Sequence, residues 1–396
     1  HYAYGDIAAI EKPSPFRVDA PCPHFGICGG CTMQNLSYSK QLSIKENYLL
    51  QTLKRIGNLD TDKIDIKPIV PSPDRFYYRS KLELFFDKAG NKIRLGSKER
   101  MSPLKSYENK VIPLEKCMVF SRSTENIIPI FTWFAQKQPL TKHKSLTQKG
   151  PVSLKLREAK MTGELMAILE TTDTAFSHLS GLWDVLSKNN DNLLSLYVIK
   201  PSPKRGAGIP GKKHVFFGKP NIVDKIYDIT FKIYPYAFFQ PNPKAAALLY
   251  KEIVDICEPA KHEHVLGLYC GMGAIEIFLS PFVQKVVGVD SSSDSIRNAI
   301  ENCRINGIDN CTFFKGRVEN ILKDHNLSSV DLLVIDPPRA GISLQGLKNI
   351  IDTAPLRIAY VSCNPSTLAR DIKYLQGYRY KVTNIIPFDF WEKSKY

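Results

Sequence analysis

Two short segments of this 396-residue chain carry side chains able to do covalent chemistry. Cys363 stands in Ser362-Cys363-Asn364-Pro365, directly after the apolar, strand-like run Ile358-Ala359-Tyr360-Val361. Asp336 opens Asp336-Pro337-Pro338-Arg339 after a second such run, Leu332–Ile335. A cysteine thiolate is a strong nucleophile and forms covalent intermediates. At the mouth of a nucleotide-type fold, beside an acidic strand end, Cys363 reads as a group that attacks the substrate. The competing reading is a buried structural cysteine, which is the stronger one for Cys257, Cys303 and Cys311. Cys270 is expected to pack within a glycine turn.

That turn follows the strand-like run Val265–Tyr269 and reads Gly271-Met272-Gly273. Glycines allow a tight strand-to-helix turn and close approach of a ligand to the backbone. The next strand, Lys285–Val289, ends at Asp290, about twenty residues on, where a carboxylate can accept from both ribose hydroxyls. An adenosine-containing cofactor fits this pair. Gly-Met-Gly-Ala-Ile-Glu lacks the third glycine of a dinucleotide turn, so S-adenosylmethionine, which has no phosphate, fits better. The diproline after Asp336 fixes its loop and presents the carboxylate beside the cofactor's reactive end. Enzymes that methylate exocyclic amines carry an aromatic after the diproline; here it is Arg339. Carbon 5 of a pyrimidine is different, because it becomes nucleophilic only after a thiolate adds at C6. Cys363 is placed for that addition, and a base must then remove the C5 proton.

The elements that position these groups alternate. Asn242-Pro243 caps a helix over Ala245–Cys257, and strands and helices alternate from there to Ile386, as in βαβ units with a mostly parallel sheet. The last strand is expected over Tyr380–Ile386. Ligands then belong at the carboxyl ends of the strands. Upstream, a helix over Tyr38–Ile56 stops at Gly57, and residues 66–231 read as a mixed or mainly β domain. Two of its connections, Gln136–Lys149 and Lys200–Lys219, are rich in lysine, as an RNA contact or as solvated loops.

The N-terminal cysteines stand as Cys22-x5-Cys28-Gly-Gly-Cys31, with Cys117 available far downstream. Three close thiolates and one remote favour a [4Fe–4S] cluster over a zinc knuckle, which pairs two short Cys-x2–4-Cys units. His24 is an alternative fourth ligand. An odd count of nine cysteines, unevenly clustered, argues against a disulfide framework. The formal charge is +15, from 54 Lys and Arg against 39 Asp and Glu, which favours a polyanionic partner over a merely basic surface. Without an apolar run of membrane-spanning length or a signal pattern, a cytoplasmic protein is expected, with no membrane or obligate protein partner.

Taken together, the Cys-x5-Cys-Gly-Gly-Cys loop, Phe238-Phe239-Gln240-x-Asn242, Leu268-Tyr269-Cys270-Gly271-x-Gly273, Asp336-Pro337-Pro338-Arg339 and Ser362-Cys363-Asn364-Pro365 resemble the TrmA/RumA-type RNA 5-methyluridine methyltransferases. The likeness is to the iron–sulfur members that modify 23S rRNA. It implies an α/β chain with a C-terminal class I, Rossmann-like methyltransferase domain and a central, mainly β domain carrying the iron–sulfur loop. Residues 1–20 would be the remnant of a TRAM domain, with its last strand at Tyr2–Ile10. Residues 21–65 would be the cluster loop and helix, 66–235 the RNA-binding domain, and 236–396 the methyltransferase. Gln240, Tyr269, Asp290 and Asp336 would contact S-adenosylmethionine, Cys363 would be the nucleophile, and Cys22, Cys28, Cys31 and Cys117 would hold the cluster. The substrate would be 23S rRNA, with tRNA, or RNA binding without catalysis, as the alternatives. The family usually has aspartate where Gly267 stands and often asparagine at Ala274. Its catalytic glutamate lies in a Pro-x-Thr-x-His-x-Glu segment that Glu392 does not match.

Overall fold

The computed structural model describes residues 7–90, 92–100, 110–137, 151–172, 179–200, 213–324 and 330–390. The chain opens with α1 (Tyr38–Arg55), followed by a two-residue strand, β1 (Asp65–Ile66). Next come β2 (Lys81–Ala89), β3 (Lys92–Lys98), β4 (Val111–Pro113), α2 (Thr124–Gln136), β5 (Pro151–Glu158), β6 (Leu165–Thr171), α3 (Leu179–Asn189), β7 (Leu193–Ile199) and β8 (Lys213–Gly218). These strands form one seven-stranded sheet in the order β4-β3-β2-β5-β6-β7-β8. Every pair is antiparallel except β6 and β7, which run parallel because α3 crosses between them.

Both faces of this sheet are covered, and β6 records that in its composition. Leu165, Ala167 and Leu169 face α2 and α3, while Met166 and Ile168 join a second core on the other side. A continuous apolar run is what a strand buried on two faces requires. The two helices are absent from the mainly β reading of this region. In α2, Ile127, Ile128, Phe131, Phe134 and Ala135 recur at helical spacing and are buried, but aromatic and β-branched residues suit a strand as well, and Pro129 interrupts the helical pattern.

A hairpin of β9 (Ile222–Ile226) and β10 (Ile229–Ile233) leads into α4 (Pro243–Cys257), β11 (His264–Leu268), α5 (Ala274–Leu279), β12 (Lys285–Asp290) and α6 (Ser293–Ile305). Then follow β13 (Cys311–Lys315), α7 (Val318–Asp324), β14 (Leu332–Ile335), α8 (Leu344–Thr353), β15 (Arg357–Tyr360), α9 (Pro365–Gln376) and β16 (Asn384–Ile385). The second sheet is parallel throughout, in the order β13-β12-β11-β14-β15. Its order reverses at β11, so the crevice for a ligand lies at the carboxyl ends of β11, β12 and β14. Asn242 caps α4 as its sequence suggests: its side chain accepts from the Ala245 amide at 3.2 Å.

The strand expected over Tyr380–Ile386 shrinks to two residues, and it pairs in parallel with β1 instead of joining the main sheet. That pairing joins the segment after α1 to the segment after α9. Buried Asp389 accepts from Tyr38 Oη at 3.0 Å and from Lys45 Nζ at 2.6 Å, while Leu53 of α1 and Ala369 of α9 share a small core with Leu59. Residues 7–10, part of the strand expected at the N-terminus, take no regular structure and are exposed; residues 1–6 lie outside the described residues. So do residues 138–150 and 201–212, which hold most of the two lysine-rich connections.

One buried charge joins the halves. Arg157, at the end of β5, is 6% exposed, and its Nη1 donates to the carbonyls of Tyr234 (2.8 Å), Pro235 (3.1 Å) and Ala237 (2.6 Å). Ser80 adds two bonds, from its amide to the Pro241 carbonyl and from its hydroxyl to the Gln240 carbonyl. Removing the guanidinium leaves buried acceptors unsatisfied, each costing about 1–3 kcal/mol. Arg157→Ala is therefore expected to lose about 3 kcal/mol or more of unfolding free energy, read as a lower urea midpoint.

Candidate active site

A cleft of about 2400 Å³ runs between the two sheets and reaches the carboxyl ends of the parallel strands. Gln240, Tyr269, Asp290, Asp336 and Cys363 all line it. The parallel register explains why. Leu268 pairs with Val289 and with Ile335, and Ile335 with Tyr360, so the residues that follow these partners emerge side by side.

The turn after β11 is tight. Tyr269 adopts φ 61° and Gly273 φ 76°. For tyrosine that conformation is uncommon and strained. A β-carbon on Gly273 would lie 2.8 Å from the Phe313 ring, so only glycine fits there. Asp290 holds the turn from the neighbouring strand: its two carboxylate oxygens accept from the amides of Gly271 (3.0 Å) and Ser292 (2.7 Å). Each oxygen keeps a second lone pair for a ligand hydroxyl. Across the switch point, Gln240 Nε2 donates to Asp336 Oδ2 at 3.1 Å. Burial pushes the Asp336 carboxyl up to about 6, against the lowering effect of that bond.

Cys363 is exposed at the cleft, in the loop between β15 and α9. Its neighbours fix that loop. Asn364 caps α9 by accepting from the Ser366 amide, and its Nδ2 donates to the Arg339 carbonyl at 3.0 Å. The loop after the diproline is clamped from α9: buried Asp371 accepts from the Ile342 amide and the Tyr360 hydroxyl, and Arg370 donates to the carbonyls of Ala340 and Ile342. The acidic and thiol-bearing loops are thus one interlocked unit.

Residues 208–395 match the tRNA (uracil-5-)-methyltransferase family. An uncharacterised RNA methyltransferase of Clostridium tetani is 31% identical over 397 residues, covering 100% of this chain and 84% of the relative. One from Halalkalibacterium halodurans is 33% identical, with 98% and 84% covered. The chain belongs to the TrmA/RumA-type RNA 5-methyluridine methyltransferases. Among solved structures, the tRNA (uracil-54, C5)-methyltransferase of Pyrococcus abyssi in complex with S-adenosyl-L-homocysteine superposes with TM-score 0.75 at 25% identity, covering 99% of this chain and 89% of that one. The fold is accordingly α/β with a class I methyltransferase domain, and the protein is an RNA methyltransferase enzyme. No helix among the described residues is long and apolar enough to cross a membrane.

In this RNA methyltransferase Cys22, Cys28, Cys31 and Cys117 are not among the residues that line the cleft. The loop of Cys22, Cys28 and Cys31 docks on the end of β3, where the Gly29 amide donates to the Lys98 carbonyl at 3.0 Å and the Arg100 amide to the Ile27 carbonyl at 2.8 Å. Cys31 packs with Cys117 against Tyr78 and Val119. Burial raises the Cys31 thiol, with Cys28 and Cys22 adding to the rise and Gln34 and Arg79 opposing it. Burial pushes Cys117 up to about 12. His24 accepts the Glu115 amide on Nε2 at 3.2 Å, which engages that nitrogen. Among the described residues no group of three or more His, Cys, Asp or Glu side chains is set as a metal site.

Phe238 is the site residue whose function was not legible from its motif. It is 57% exposed in the cleft and touches the cofactor turn, 3.7 Å from where a β-carbon on Gly271 would stand. A large aromatic left in water beside a site is an expected stacking surface for a base. Its adjacency to the glutamine and the cofactor turn was the available signal. Glu392 lies outside the described residues.

The loop interlock has a measurable consequence. Asn364→Ala removes a helix cap, worth about 1 kcal/mol, together with the bond to Arg339. Thermal unfolding is expected to show a loss of about 1–2 kcal/mol, and methyl transfer should fall further than stability does.

Proposed function

We propose that this enzyme methylates C5 of a uridine in 23S rRNA, with S-adenosylmethionine as methyl donor and Cys363 as covalent nucleophile. The observation that carries the reading is the exposure of Cys363 in one cleft with the Asp290-held turn and the Gln240–Asp336 pair. In this reading Asp290 accepts from the ribose hydroxyls, with Tyr269 and the glycine turn against the adenosine and Gln240 and Asp336 at the reactive end. When bound there, S-adenosylmethionine supplies an electrophilic methyl group. Cys363 Sγ adds to C6 of the uracil, breaking the C5–C6 π bond and making C5 nucleophilic. Once C5 carries the methyl group, a general base takes its proton, and the electron pair left behind re-forms the C5–C6 double bond as the C6–S bond breaks to return the thiolate. Phe238 stacks on the uracil that has been swung out of its helix.

Similarity to the Pyrococcus abyssi enzyme, a tRNA methyltransferase, favours tRNA as a second reading. One experiment separates the two. Wild-type protein incubated with 5-fluorouridine-substituted transcripts is expected to form a denaturation-resistant adduct with 23S rRNA and little with tRNA, because fluorine at C5 blocks elimination. Cys363→Ser should form none. An adduct only with tRNA overturns the rRNA reading, and an undiminished adduct in Cys363→Ser overturns the covalent mechanism.

Cys22, Cys28, Cys31 and Cys117 are the proposed ligands of a [4Fe–4S] cluster. The packing of Cys31 with Cys117 against Tyr78, the engagement of His24 Nε2 and the cationic influence of Arg79 on those two thiols support a thiolate site. Protein purified without oxygen is expected to be brown, with about four iron and four sulfide per chain. A colourless protein with stoichiometric zinc would refute the assignment.

A further inference from the structure

One buried acid has no part in the scheme above. Glu276 lies in the first turn of α5, immediately after the glycine turn, and is 3% exposed. Its Oε2 has no hydrogen-bond partner. A buried carboxyl oxygen left unpaired costs stability unless something else, such as a ligand, completes it. Opposite it on β11 stands Gly267, where a β-carbon would lie 1.9 Å from Glu276 Oε1 and 2.7 Å from its carboxyl carbon. The Glu276 carboxyl group therefore occupies the space a side chain at position 267 would take. A small cavity of about 30 Å³, lined by Glu276 with Gln240, Gly271 and Asp336, adjoins it. Those three partners also line the main cleft. The cavity is large enough for a water to link the carboxylate to a ligand.

We propose that Glu276 is a cofactor-site carboxylate, admitted by Gly267, whose charge selects the cationic methyl donor over its neutral-sulfur product. The proposal rests on S-adenosylmethionine binding in this crevice. Donor and product share the adenosine and amino-acid groups and differ in the sulfonium, which loses its charge with the methyl group. A carboxylate in a water-poor pocket distinguishes them through that charge. The groups facing Glu276 are Asp336 and Asp290 from the strand ends, Cys270 in the turn, Cys303 of α6, Cys311 of β13 and Tyr250 of α4. Burial, reinforced by Asp336 and Asp290, pushes the Glu276 carboxyl up to about 8. In the ligand-free protein it therefore keeps its proton at neutral pH. An arriving cation favours the ionised form, so binding expels a proton and tightens as pH rises toward that value. Asp336, pushed up to about 6, acts in a lower window.

Calorimetric titration of S-adenosylmethionine and S-adenosylhomocysteine, at about pH 7 in two buffers of different ionisation enthalpy, tests this. Wild type is expected to release a proton on binding the donor and much less on binding the product. Glu276→Gln, isosteric and folded by thermal unfolding, should lose that release and bind the donor about tenfold or more weakly, with product affinity changed by no more than about twofold. The pair Gly267→Asp with Glu276→Gly, which returns an acid from the opposite side, should regain most of the donor affinity. Gly267→Asp alone collides with Glu276 and should be destabilised. Equal weakening of donor and product, or unchanged donor binding and proton release in Glu276→Gln, overturns the proposal and leaves the cofactor reading standing. Absence of donor binding by wild type overturns both.

Discussion

Everything in the cleft depends on a buried guanidinium. Arg157 belongs to the β-rich half, yet its bonds go to the carbonyls of residues 234, 235 and 237, which lead the chain into the parallel half. Burial lowers its pKa to about 10, so it remains charged at neutral pH. No ion pair with a carboxylate is seen for it among the described residues, so carbonyl dipoles are what offset the loss of hydration. Such an arrangement is directional: three acceptors converge on one nitrogen only if the chain turns in one way. The residues that follow are Phe238, Phe239 and Gln240, and the turn therefore fixes where the exposed ring and the glutamine amide stand. A salt bridge could tolerate several geometries of that segment; a set of convergent carbonyls cannot.

From this anchor the site is assembled by backbone register more than by side-chain contact. The ends of β11, β12, β14 and β15 are level, so Tyr269, Asp290, Asp336 and the loop of Cys363 leave the sheet together. Their spacing is then trimmed by interlocking hydrogen bonds, Asn364 to Arg339 and Arg370 to Ala340 and Ile342. Acids gather at the switch point at an electrostatic cost. Burial raises both the half-buried Asp336 and the buried Glu276, and Asp336 adds to the rise of Glu276.

Much of this was legible from residue types. The glycine turn, the acid about twenty residues later, the diproline and the cysteine stood at strand ends because parallel sheets place ligand groups there, and all five named residues line one cleft. What was hidden depended on contacts between distant segments. Helix α2 was obscured because its aromatic and β-branched residues suit a strand as well as a helix, and only the packing against β3 and α3 decides. The short β16 read as a full strand because its partner β1 lies more than 300 residues upstream. Arg157 has no local pattern, since its acceptors are backbone carbonyls that any residue can supply. Gly267 read as a departure from the family; only the spatial view shows the Glu276 carboxyl group occupying its place.

The charge of the chain and the identity of its substrate are separate matters. A formal charge of +15 raises affinity for any RNA through counterion release and carries no sequence information. The cleft itself is mixed: Lys81, Lys98, Arg339 and Arg379 share its walls with Glu83 and Glu170, and Glu170 already neutralises Lys155. A wall of alternating sign holds a phosphate backbone less tightly than a uniform basic groove, but it penalises a strand that runs in the wrong register. Under the proposed reading, recognition then falls to the shape of an RNA loop that can deliver one unstacked base to the cleft.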